Sequence, residues 1–84
     1  MGTVPTDFSG RDVLRVLLDN SYRYQDQTGD HVQLKYVHPT NPDDVRNVTV
    51  PLHDRIAVGT LRTIADQCGA NDFEAWCRWV DRNR

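Results

Sequence analysis

The sequence predicts an α+β domain in the order α-β-β-β-α-α, a three-stranded antiparallel sheet with helices packed on one face. Three observations predict it. An early apolar stripe, Val13, Leu14, Leu17 and Leu18, recurs at helical spacing. The segment His31 to Val37 alternates strictly, with Val32, Leu34 and Tyr36 on one side and His31, Gln33 and Lys35 on the other. That is the pattern of a strand with one face buried. Two further helical stripes follow, Leu61, Ile64, Ala65 and Cys68, then Phe73, Trp76, Cys77 and Val80.

Residues 1–8, interrupted by Pro5, are expected to form a flexible lead-in to a single domain spanning 9–84. Ser9-Gly10-Arg11-Asp12 has the form of a capping box, a hydroxyl N-cap with an acid three residues on, and predicts a first helix from about Gly10 to Asp19. Asn20 and Ser21 end it. Tyr22 to Asp26 is rich in β-formers, and Gln27-Thr28-Gly29-Asp30 reads as a turn into the alternating strand. Pro39 to Asp44 makes the next loop, and Val45 to Val50 forms the third strand, with Val48 and Val50 inward and Asn47 and Thr49 outward. Pro51 has no N–H to donate and stops the ladder. A linker with His53, Asp54 and Arg55 leads to the second helix, closed by Gly69. A third helix is expected from Asn71, with Glu74 as its capping partner and a tryptophan-containing stripe that seals so small a core.

Composition narrows the function classes. A chain of 84 residues buries about 60–65% of its unfolded surface, enough for one modest core and no deep pocket for a large cofactor. Its mean hydropathy of -0.65 leaves little apolar surplus. No apolar run is long enough to span a bilayer, and the start of the sequence lacks a basic-then-apolar signal pattern, so a soluble cytoplasmic protein is expected. Cys68 and Cys77 match neither a disulfide framework nor a zinc motif and are expected to be reduced core residues. The formal charge is -2, from eleven Asp and one Glu against nine Arg and one Lys. A GC-rich genome or a salty cytoplasm accounts for that skew. With no global basic excess, any RNA affinity has to come from local contacts.

The outward face of the expected sheet collects Arg23, Gln25, His31, Gln33, Lys35, Asn47 and Thr49. A polar outer face is ordinary for an antiparallel sheet. Cleavage of an RNA strand needs a base for the 2′-OH proton, positive charge near the phosphorane and an acid for the leaving oxygen, and it requires no metal. Histidine suits the proton transfers. His31 and Lys35 lie four residues apart, about 13 Å along a strand, so they would engage different groups of one RNA chain. His38 and His53 have no ligand spacing of their own, neither cysteine sits in a nucleophile motif, and no metal site or cofactor is expected.

Four short segments, taken in order, carry a family resemblance. Thr28-Gly29-Asp30-His31-Val32, then Val37-His38-Pro39, then Val48-Thr49-Val50-Pro51-Leu52-His53, then Gly59-Thr60-Leu61-Arg62-Thr63-Ile64 resemble the HicA (YcfA-like) mRNA interferases. The opening Ser9-Gly10-Arg11-Asp12 and its leucine-rich helix are similar too, so the match runs over roughly 9–70. The resemblance implies a double-stranded-RNA-binding-like α-β-β-β-α core, to which 71–84 adds a C-terminal helix. It also implies a toxin of a type II toxin–antitoxin system that cleaves mRNA, is held inactive by a HicB-like antitoxin, and uses the histidine of the turn and second strand, here His31. Gly29 would let the backbone approach phosphate closely. Arg23, Lys35, Arg62 and His53 are the accompanying candidates for RNA contact. Asp30 stands where the family commonly has Ser; a carboxylate there either orients the imidazole or repels phosphate. Two other readings of the same residues are a non-catalytic RNA-binding or regulatory domain and a protein-interaction module.

Overall fold

The computed structural model describes residues 3–84. The elements follow the predicted order: α1 (Gly10–Asp19), β1 (Arg23–Thr28), β2 (His31–Val37), β3 (Val45–Pro51), α2 (Val58–Gln67) and α3 (Phe73–Asn83). The fold is α+β, an α-β-β-β-α core with an added C-terminal helix.

Helix α1 opens with the expected capping box: the Asp12 N–H donates to Ser9 Oγ at 3.0 Å, and the Ser9 N–H donates to Asp12 Oδ2 at 3.2 Å. Replacing Ser9 by alanine is expected to cost about 1 kcal/mol, measured by thermal or denaturant unfolding. Two bonds close the helix, Asn20 N–H to the Leu17 carbonyl and Asn20 Nδ2 to the Val16 carbonyl, before Ser21 turns the chain at φ 74°.

The sheet is ordered β1-β2-β3 and antiparallel throughout. Its inward face buries Val32, Leu34, Val48 and Val50 beneath the helices. Strand β1 starts one residue later and ends two residues later than its β-formers suggest. Gln27 and Thr28 belong to the ladder, and the turn reduces to Gly29-Asp30. Gly29, at φ +59°, supplies the positive φ that a two-residue hairpin loop demands at its first position. A bulge between Tyr24 and Asp26 leaves Gln25 outside the paired register. The helices pack against β3, so β1 stays exposed along its length, Tyr24 to 54%.

Helix α3 begins at Phe73 rather than Asn71. Asp72 is its N-cap, accepting from the Ala75 N–H at 3.1 Å; a carboxylate at that position also faces the positive end of the helix dipole. Trp76, Cys77 and Val80 are buried, so the tryptophan stripe does close the core. Cys68 and Cys77 are free and buried, and burial pushes the Cys68 thiol up. Gly69, at φ +78°, takes the left-handed position after α2, where Arg46 Nη1 donates to the Cys68 carbonyl at 2.7 Å. A cation there suits the negative end of a helix.

Of the lead-in, residues 1 and 2 lie outside the described residues. Residues 3–8 form no regular element, yet Phe8 is fully buried and its carbonyl accepts from the Ile56 N–H. Arg84 covers the Phe8 ring and contacts Asp7, Asp12 and Asp81. An own-backbone hydrogen bond and the Arg84 guanidinium hold the Asp7 carboxyl below its ordinary range. The stabilisation is therefore complete above the ordinary carboxylate range and disappears as pH falls through the lowered value. Arg84→Ala is expected to cost about 1 kcal/mol or less at neutral pH. The difference from wild type, followed by denaturant unfolding, should shrink in acid and in high salt.

Candidate functional site

The outward sheet face is built in cross-strand ranks. Thr28, His31 and Pro51 form one, at the hairpin end; Asp26, Gln33 and Thr49 the next; Arg23, Lys35 and Asn47 the last. The middle rank is partly self-satisfied, since Thr49 Oγ1 donates to Gln33 Oε1 at 2.9 Å. The last is electrostatically odd. Arg23 and Lys35 are direct partners, and like charges directly opposite one another destabilise a sheet. Among the described residues neither has an ion-pair partner. Together with Gln25, they line an open groove that continues to His38 and Pro39.

The hairpin end holds a second cluster. Asp30 Oδ1 lies 3.1 Å from His31 Nδ1, and Asp30 Oδ2 lies 3.3 Å from His53 Nε2. The two imidazoles meet edge to face with ring centroids 6.4 Å apart. All three side chains are about half exposed, so solvent reaches the cluster directly.

Backbone contacts hold it in place. The Leu52 N–H donates to the Asp30 carbonyl at 2.7 Å, tying the linker after β3 to the β1–β2 turn. The Gly10 N–H donates to the His53 carbonyl at 2.9 Å. Gly10 can approach so closely because it lacks a side chain: a Cβ there would overlap the Pro51 carbonyl oxygen and lie 2.6 Å from Leu52 Cα. The start of α1, the end of β3 and the β1–β2 turn thus converge on one spot.

The remaining candidates separate. Lys35 and Arg23 share the face with His31 but stand about 13 Å along the strand from it. Arg62 is not brought to this face; its guanidinium stacks on Phe73 at 4.4 Å, beside a groove between α2 and the start of α3. Gly29 shapes the hairpin next to Asp30. His38 is turned to loop structure, its Nδ1 accepting from the N–H groups of Thr40 and Asn41. The ties between Asp30 and His53 and between Gly10 and the linker have no local sequence signal, because they join segments that meet only in the folded chain. Among the described residues, no group of three or more His, Cys, Asp or Glu side chains is arranged to hold a metal ion. No helix among them is long and apolar enough to cross a membrane.

Fold and site together define a small α+β domain with an exposed pair of histidines at one end of a polar sheet face and an unpaired cation pair at the other. Residues 10–70 match the family described as HicA toxin of bacterial toxin-antitoxin. This span covers the whole α-β-β-β-α core, and the chain belongs to that family. It is therefore a member of a toxin family of the endoribonuclease type, for which a cognate antitoxin is the implied partner. Neither curated proteins nor solved structures yield a match to the chain.

Proposed function

We propose that this chain is the toxin of a type II toxin–antitoxin pair, a cytoplasmic, metal-independent endoribonuclease that cuts mRNA with His31 as a catalytic residue. A HicB-like antitoxin holds it inactive. The observation that carries this reading is His31 itself, half exposed at the head of β2 on a solvent-facing polar surface, inside the segment that matches the family.

The chemistry follows from the parts. The RNA 2′-oxygen attacks the adjacent phosphorus, the P–O5′ bond breaks, and a proton moves from the 2′-oxygen towards the 5′-oxygen. The His31 imidazole takes up or delivers one of these protons within hydrogen-bond reach, about 2.6–3.2 Å. RNA running along β2 brings a more distant phosphate to the Arg23–Lys35 rank, where the two cations exchange mutual repulsion for a shared anion. Their contribution is local, which reconciles phosphate binding with a net charge of -2. Arg62 faces another surface and has no part in this path.

The test is incubation of purified protein with a long RNA in the presence of a chelator, with His31→Ala alongside. The expected products are shortened chains with cyclic phosphate ends, absent from the variant. Asp30 favours a second reading, a non-catalytic RNA-binding domain, because a carboxylate beside His31 opposes an incoming phosphate. A shift of intact RNA on a gel, with no shortening, would establish that reading instead. For the cation pair, Arg23→Ala or Lys35→Ala is expected to weaken RNA binding and flatten its salt dependence, by about one unit of log–log slope for each phosphate no longer neutralised. Titration at several salt concentrations measures it.

A further inference from the structure

The ribonuclease reading assigns one histidine, while strand cleavage requires two proton transfers on opposite sides of a phosphate. Lys35 and Arg23 are about 13 Å from His31, too far to serve the same phosphorus. His53 is close, with its ring centroid 6.4 Å from that of His31. Asp30 contacts Nδ1 of the one and Nε2 of the other. This leaves His31 Nε2 and His53 Nδ1 as the nitrogens turned away from the carboxylate, one on each ring. We infer that His31 and His53 act as a proton-transfer pair on one phosphate, with Asp30 as the positioning residue that holds both rings. The inference rests on the ribonuclease reading and adds a second catalytic residue to it.

The step balances. One imidazole, neutral, accepts the 2′-OH proton as the O2′–P bond forms. The other, protonated, donates to the departing 5′-oxygen as the P–O5′ bond breaks. The products are a 2′,3′-cyclic phosphate and a 5′-hydroxyl. Phosphorus does not change oxidation state, and exchange with water resets the two rings. In-line displacement places the attacking and leaving oxygens on opposite sides of phosphorus, so the two groups must flank the phosphate rather than coincide. Two separated rings at an edge-to-face angle meet that demand better than two stacked ones. Asp30 faces both, so the imidazolium has a counter-charge whichever ring carries the proton.

The fold maintains this arrangement through backbone, not through the side chains themselves. The Asp30 carbonyl is bonded to Leu52 N–H and the His53 carbonyl to Gly10 N–H, so all three side chains can be changed with those bonds intact. The test uses the full chain and an RNA cut by wild type at a mapped site. His53→Ala is expected to lower kcat at least tenfold while the protein still binds and melts as wild type does. A second RNA carries sulfur in place of the bridging 5′-oxygen at that site. Sulfur leaves without a proton, so one of His31→Ala and His53→Ala, and only one, should recover at least tenfold on it. Asp30→Asn should lower kcat about tenfold with KM unchanged.

If His53→Ala cleaves within twofold of wild type, or if sulfur rescues neither or both histidine variants, the paired roles are overturned while the ribonuclease reading stands. A change confined to KM in Asp30→Asn overturns its positioning role. A fully active His31→Ala protein overturns the underlying choice of His31 as well.

Discussion

Alanine at position 31 is expected to slow RNA cleavage by about 10²–10⁴-fold, the usual worth of a positioned proton-transfer group. Stability should change little, because the side chain is half exposed and its contact with Asp30 is a solvent-screened pair. Activity and fold therefore separate cleanly in this variant. Initial rates on a long RNA measure the first and a thermal melt the second. In cells, induced expression of wild type should halt growth and the variant should not. Growth arrest by a folded His31→Ala protein would remove this residue from the mechanism.

The second large effect comes from a residue with no side chain. Glycine near the start of a helix is ordinarily improved by alanine, which adds about 1 kcal/mol of helix preference. Gly10→Ala is expected to do the opposite and destabilise by about 1–3 kcal/mol, as overpacking does in a tight contact. The added Cβ would meet backbone, the Pro51 carbonyl oxygen and Leu52 Cα, and backbone cannot swing aside as a flexible side chain can. To relieve the overlap α1 must shift from the linker, and that stretches the Gly10–His53 bond. The variant should lose cleavage activity beyond what its unfolded fraction explains. Denaturant unfolding and rates at a temperature where the protein is fully folded distinguish the two losses. A variant more stable than wild type would show that the approach of α1 to β3 is not tight.

Much of this fold is legible in sequence because one-sided burial leaves a period. Residues 31–37 alternate because Val32 and Leu34 are covered while His31 and Lys35 are not. The limits of α1 are equally clear, since the Ser9–Asp12 box and Asn20 mark both ends. Strand β1 is less so. Neither of its faces is buried, so no alternation records where it starts, and the two-residue turn gives it Gln27 and Thr28. The start of α3 slips for a local reason: Asn71 and Asp72 are both good caps, and only the chain's path selects Asp72.

The site divides the same way. That His31, Lys35 and Arg23 share a face follows from the two-residue period of strands, and the register of the folded sheet puts them on one surface. A strand period cannot report a partner on a distant linker, so the contact of Asp30 with His53 is invisible in the string of letters. The helical stripe of α2 reveals its buried side without showing what lies over its flank, and so the stacking of Arg62 on Phe73 is a tertiary fact. Asp30 itself reads differently once folded. Beside one histidine a carboxylate chiefly opposes phosphate; between two, it also sets their spacing.

The sheet has two edges of unequal character. On β3 the Thr49 N–H is taken by Gln67 Oε1 at 3.0 Å, α2 packs alongside, and Pro51 offers no donor. The helices leave β1 uncovered, yet its own side chains and backbone blunt it: the Gln27 N–H donates to Asp26 Oδ1 at 2.8 Å, and a bulge falls between Tyr24 and Asp26. A captured donor and a bulge both discourage the pairing of an added strand. Fibre growth by strand templating is thus braked at both margins, by a glutamine and a proline on β3 and by an aspartate and a bulge on β1.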